Sequence, residues 1–376
     1  MSLPKRVLIA PDKFKDSLDA IDVARAVERG IRGVDSSIEI DLCPLTDGGE
    51  GFCATMTAAL GGVLSRKRIV GPLAEMHVDA SFGIAGDVGV VEMSSASGLA
   101  LIPKADRNPM FTTTFGTGQL IVSAVEAGAK KILLGIGGSA TCDGGVGALQ
   151  ACGCHIILKS GEYARDSEPL RGKDVDEIVL IKSHRGSIVD GVEITIACDV
   201  TNPLCGPNGS ARIYGPQKGA SPSDVEFLDR SLRELAHRMG KDDLAQQPGA
   251  GAAGGIGFGL AAMFGAKLVG GFELVSNALR LRERIISADL VITGEGHIDH
   301  QTPSGKTVAG VARLCRELSK PCCAIAGAVS LDATSIGIER AIGIRSLASS
   351  DDDSFRNASK WIEQAARQII QDRIGK

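Results

Sequence analysis

At 376 residues and a net charge of −4, the chain is long enough for one large or two ordinary domains and has no electrostatic case for binding nucleic acid. Hydrophobic residues make up 44% and aromatics only 3%, and 48 glycines punctuate small aliphatic runs, which predicts an α/β protein and argues against an antiparallel sandwich. No apolar run approaches the ~20 residues of a membrane span. The first strand starts too early for a signal peptide, and ten cysteines without a Cys-x-x-Cys spacing read as reduced thiols, so a cytoplasmic protein is expected.

The first predicted strand, 6–10, leads through Asp12, Lys13 and Lys15 to a helix over 18–33, with Ile21, Ala24 and Ile31 at helical spacing. Ser17 is the expected N-cap, and Asp19 and Asp22 fall in the favourable first turn. A strand at 38–42 precedes the loop Asp47-Gly48-Gly49-Glu50-Gly51, and a short helix then ends at Gly61-Gly62. This β-α-β-α order predicts a parallel sheet. Arg66-Lys67-Arg68 lies in a strand-like stretch and reads as a solvated face. Runs at 76–84 and 89–93, separated by Ala85-Gly86-Asp87-Val88, predict a hairpin.

An apolar strand at 131–134 then enters the glycine loop 135–145, followed by a helix over 146–152. Glycines let backbone N–H groups approach an anion closely, and a helix N-terminus adds partial positive charge, so the loop reads as a phosphate cradle. A strand at 193–197 carries Asp199 just beyond it. The turn Tyr214-Gly215-Pro216-Gln217-Lys218-Gly219 offers Lys218, with Arg212 upstream, as cations for phosphate or carboxylate. A glycine-rich stretch at 248–255 opens a helix running to about 265. Near the C-terminus, a strand at 289–293, the loop Gly294-Glu295-Gly296, a helix at 307–318, a strand at 321–326, a shorter strand near Ile342 and a last helix repeat the α/β order.

These elements predict a doubly wound, Rossmann-like parallel-sheet domain built from both chain ends, 1–72 plus 286–376, with a second α/β domain, 73–285, inserted between them. Ligands of such sheets bind beyond the carboxyl ends of the strands, and clefts between domains are favoured sites. The active site is therefore expected in the interdomain cleft, faced by the glycine loops.

Standard nucleotide fingerprints fail. Gly305-Lys306-Thr307 resembles the end of a P-loop, but His300 stands where glycine is required. Gly249 to Gly254 matches G-x-G-x-x-G without a preceding strand, and the loop from Gly135 lacks the acidic residue that would hold a ribose. The pair His297 and His300 is read as structural rather than as zinc ligands. What remains is a set of strand ends bearing Asp12, Asp47, Glu50, Asp199, Glu295 and Asp299, with lysines nearby. Phosphoryl transfer needs such parts: carboxylates for Mg²⁺, cations against developing charge, and a base near the acceptor hydroxyl.

The segments 10–18, 47–51, 137–141, 197–204, 214–220 and 291–296 together resemble the bacterial glycerate kinases of the type I family, in order over nearly the whole chain. The resemblance implies ATP-dependent phosphorylation of D-glycerate with Mg²⁺, generally to 2-phosphoglycerate, in glyoxylate or sugar-acid catabolism. A 3-phosphoglycerate-forming enzyme or a kinase of a related hydroxy acid is the near alternative, and a nucleotide-cofactor oxidoreductase or a non-catalytic sensor the distant one. Within this reading, Lys15, Arg212 or Lys218 holds the glycerate carboxylate, with Asp12, Gly48 and Gly49 also lining the substrate. Asp47 or Asp199 is the base, with Lys15 counted among the catalytic groups. Gly137, Gly138, Ser139 and Thr141, with Gly251, Gly254 and Gly255, cradle ATP, and Glu295 and Asp143 carry the metal. His297 replaces an arginine of the family pattern. The expected partner is the small-molecule substrate, with no nucleic acid and no membrane, and a homodimer is left open.

Overall fold

The computed structural model describes residues 3–14, 17–183, 187–300, 302 and 307–374. The strands in chain order are β1 (Arg6–Pro11), β2 (Glu39–Leu42), β3 (Val63–Val70), β4 (His77–Ala85), β5 (Val88–Glu92), β6 (Lys131–Gly135), β7 (His155–Leu158), β8 (Ile178–Lys182), β9 (Glu193–Ala197), β10 (Lys267–Val269), β11 (Leu290–Ile298), β12 (Cys322–Val329) and β13 (Arg340–Gly343). The chain divides into two compact units, Met1–Asp47 with Val275–Lys376, and Gly48–Leu274.

The first unit holds a parallel sheet in the order β13-β12-β11-β1-β2. Its interior strand β1 is a continuous apolar run, with Val7, Leu8, Ile9 and Ala10 all fully buried, as in a parallel sheet covered on both faces, whereas the edge strand β2 is not. Taken in chain order the five strands run 2-1-3-4-5, a doubly wound order whose reversal point lies between β1 and β11. The helix Ala20–Arg32 presents Val23, Val27 and Ile31 to this core. Its N-cap is Asp19, which accepts from the Asp22 amide at 2.8 Å, and not Ser17. Ser17 instead donates to the Phe355 carbonyl. Gly30 lets this helix meet the helix Ala358–Ile374 closely, since a Cβ there would lie 2.3 Å from the Glu363 carbonyl oxygen.

The second unit is a six-stranded mixed sheet, β10-β9-β6-β5-β4-β3, with a separate two-stranded sheet of β7 and β8. The predicted hairpin joins β4 to β5, with Ala85 opposite Val88. From β5 through β6 and β9 to β10 the pairing is parallel, so their carboxyl ends share one edge. The boundaries fall earlier in the chain than 72/73 and 285/286. β3 pairs with β4 along its whole length, which draws residues 48–72 into this unit. As an edge strand β3 keeps Arg66, Lys67 and Arg68 exposed, and such cations discourage pairing with another sheet edge. No helix among the described residues is long and apolar enough to cross a membrane.

Candidate active site

In the first unit, Pro11 stands opposite Gly294 in the β1–β11 ladder, so the next residue of each strand brings Asp12 and Glu295 to the reversal point. The Asp12 amide donates to the Gly294 carbonyl at 2.8 Å. The Asp12 carboxylate accepts from the Lys13 amide at 2.7 Å and from Thr307 Oγ1 at 2.6 Å. Burial nevertheless pushes its pKa up to about 6, with Asp47 adding to the rise. Glu295 accepts from Thr302 Oγ1 at 2.9 Å, and burial pushes it up to about 7, helped by Asp12 and Asp299. Two carboxylates that disfavour their own charge and each other's are a site short of a cation. Their hard oxygens suit Mg²⁺, which takes one or two carboxylates and completes its shell with water and phosphate. Among the described residues no three His, Cys, Asp or Glu side chains form a ready-made metal cage.

Asp47, the last residue of this unit's first segment, is exposed. His297 is also exposed; its Nε2 lies 3.0 Å from Ser330 Oγ and its Nδ1 3.8 Å from Asp299 Oδ2. Lys15 and Lys306 lie outside the described residues.

In the second unit, the glycine loop leaves β6 as expected. Lys218, only 3% exposed, donates from Nζ to Ser139 Oγ at 2.8 Å and to the Thr141 carbonyl at 2.7 Å. Burial lowers its pKa, opposed by nearby Cys142 and Asp143. Both of its hydrogen-bond acceptors are neutral oxygens. The amides of Gly138 and Ser139 meet no acceptor among the described residues, whereas Gly137 donates to the Gly48 carbonyl. Arg212 is held elsewhere: its Nε lies 3.6 Å from Asp229 Oδ2, and Asp229 also binds Arg233.

Asp143 does not fit the metal role. It is fully buried, and its two oxygens accept from the Thr114 amide and hydroxyl and from the amides of Gly145 and Gly147. Those donors tie the starts of the helices Phe115–Glu126 and Val146–Ala151 together, leaving the carboxylate no face for a ligand. Asp199 is half-buried and caps the helix Gly271–Ala278 through the Gly271 amide at 2.8 Å. Gly251, Gly254 and Gly255 have a reason to be glycine that needs no phosphate. A Cβ on Gly254 would lie 2.0 Å from the Thr141 carbonyl oxygen, and one on Gly251 2.1 Å from that of Pro203. The Gly144 amide donates to the Gly254 carbonyl, so this stretch braces the loop carrying Ser139 and Thr141.

Sequence reading missed Glu92, Ser94, Thr302 and Thr307. Glu92 is buried at the carboxyl end of β5 and accepts from the amides of Gly51 and Cys53 and the hydroxyl of Ser94. Its signal was present, an acid closing an apolar run, but extending that strand to Met93 hid it inside the element.

Residues 7–373 match the glycerate kinase family. A glycerate kinase of Halalkalibacterium halodurans is 42% identical, covering 96% of this chain and 97% of its own. A glycerate 2-kinase of Escherichia coli is also 42% identical, covering 97% of each. A solved glycerate kinase 2 structure from Salmonella typhimurium superposes with a TM-score of 0.89 at 38% identity over 98% of both chains.

Proposed function

Since the chain belongs to the glycerate kinase family, and is by that membership a kinase, we propose that it transfers the γ-phosphoryl group of ATP to D-glycerate, forming 2-phosphoglycerate. The observation that carries this reading is the pair Asp12 and Glu295 at the strand-order reversal, two carboxylates raised by burial where a cation would relieve them. Bound there, Mg²⁺ would neutralise phosphate oxygens during transfer. Thr302 and Thr307 orient the two carboxylates, each through a hydroxyl hydrogen bond.

The amides of Gly138 and Ser139 and the buried ammonium of Lys218 supply donors for phosphate, with Thr141, Gly251, Gly254 and Gly255 holding that loop in shape. Gly48 and Gly49 are assigned to glycerate binding; of the candidate cations for its carboxylate Lys15 is retained, and Arg212, held by Asp229, is not. Asp47 or Asp199 takes the proton of the acceptor hydroxyl; Asp47 is the better candidate, because it is solvent-exposed at the start of the 47–51 turn whereas Asp199 is half-buried on a helix start. Asp47→Asn is expected to lower kcat by ~10²-fold or more while Asp199→Asn mainly destabilises; steady-state kinetics with equal losses in both variants would refute that ranking.

³¹P NMR of the protein with Mg·ATP and D-glycerate tests the whole reading. A 2-phosphoglycerate resonance is expected. A 3-phosphoglycerate resonance would overturn the regiochemistry, and no phosphorylated product from folded protein would overturn the substrate.

A further inference from the structure

Glu92 poses a question of cost. Its side chain is buried, and among the described residues it has no cationic partner; its three donors are two backbone amides and a hydroxyl. An uncompensated buried carboxylate is an expensive way to cap a helix, which Ser, Thr or Asn does from the N-cap position itself. That position here is Gly51, held at φ 88°, a left-handed conformation that favours glycine. The carboxylate therefore arrives from β5, the Gly51 amide donating at 3.2 Å and the Cys53 amide at 3.0 Å, and the turn before the helix Phe52–Ala59 is free to be tight.

The same group reaches the second glycine loop. Glu92 is the β-partner of Gly135, where that loop begins. The Gly48 carbonyl accepts from the Gly137 amide at 3.3 Å, and a Cβ on Gly137 would lie 2.8 Å from Gly49 Cα. Ser94, hydrogen-bonded to Glu92, has its Cβ 3.3 Å from where a Cβ on Gly138 would stand. One carboxylate thus ties the 48–51 turn to the end of β5, and its hydroxyl partner packs against the 137–139 bend.

We propose that Glu92 is a positioning residue for the transfer reaction, setting the relative geometry of the 48–51 turn and the 137–139 bend; the proposal rests on reading these as the substrate and phosphate loops. Glu92→Gln keeps the shape but replaces one acceptor by a donor. It is expected to raise the glycerate KM and lower kcat/KM on the order of 10- to 100-fold, as misplacement of a binding element does. Hydrogen exchange over 48–53 is expected to speed up in the same variant. Ser94→Ala, which removes one partner and no charge, is expected to move both readouts the same way by a smaller factor.

A merely structural role would lower the fraction of active enzyme and leave KM unchanged, and that result overturns the proposal. Unchanged exchange over 48–53 overturns it as well, and does so whatever the substrate proves to be. If Glu92→Gln fails to fold, Ser94→Ala decides: a wild-type KM with wild-type exchange refutes the positioning role. If wild-type enzyme ignores glycerate, the substrate reading fails separately, and exchange over 48–53 together with the KM of the hydroxy acid it does accept decides the role of Glu92.

Discussion

Lys218 shows how one side chain changes meaning between sequence and structure. In the sequence it is a turn lysine between glycines; in the fold it is buried, and among the described residues its ammonium bonds to neutral oxygens of the 137–141 loop. Lys218→Met removes the charge at similar volume and is expected to cut kcat/KM for ATP by ~10²–10³-fold, the loss typical of a preorganised donor to phosphate. Steady-state kinetics with ATP as the varied substrate check this. Glu295 makes a prediction about pH. Its folded pKa, about 7, lies above the 4.5 of an ordinary glutamate, so the folded state binds more protons between those values. The stability that protonation contributes is complete below about pH 4.5 and lost as pH rises through 7. Glu295→Gln, permanently neutral, is therefore expected to melt higher than wild type at pH 8, with the gap closing toward pH 4. Thermal melts across that range without Mg²⁺ measure it, and the variant should lose the stabilisation that Mg²⁺ with nucleotide confers on wild type.

At the scale of elements, the helix N-termini beside the strand ends are already served by the protein's own carboxylates. Glu92 meets the start of Phe52–Ala59, Asp143 the starts of two helices, and Asp199 that of Gly271–Ala278. Under the proposed function, a phosphate near the 135–145 loop would be held by loop amides and the buried lysine rather than by the following helix start, since a second anion beside Asp143 would be repelled. Asp143→Asn replaces an acceptor oxygen by a donor among four buried donors. The cost is expected to be about 2–4 kcal/mol of stability, from leaving amides unsatisfied. Denaturant unfolding measures the loss, and kcat per folded molecule should change little.

At the scale of the whole molecule, the second unit is one continuous segment, Gly48–Leu274, with a core of its own around Leu134, Leu149, Ile196, Leu232 and Phe258. A fragment of residues 48–274 is expected to fold with a cooperative melt and to lack phosphoryl transfer, because Asp12 and Glu295 belong to the first unit. Circular dichroism and the coupled kinase assay test both halves. The first unit draws on both chain ends, as Val7, Ile9, Ile292, Ile325 and Ile369 share one cluster.

Much of this was legible because strands and glycine loops are local patterns. The apolar runs at 6–10, 131–134 and 193–197 are strands in the fold, and Asp12 and Asp199 follow the first and third of them within two residues. The two-stranded sheet of β7 and β8 was not legible, being short and without alternation distinct enough from its surroundings. By itself the sequence determined the α/β class, the strands and helices at the two chain ends, and the family motifs. Tertiary structure alone decided which acids are available: Asp12 and Glu295 stand at the reversal point, while Asp143 is spent on two helix starts and Glu92 on a turn. The reason is that a side chain's partners, which set its charge and its freedom, lie far away along the chain. Ser139 meets Lys218 across 79 residues, Gly51 meets Glu92 across 41, and Asp12 meets Thr307 across 295, and no local pattern records such pairings.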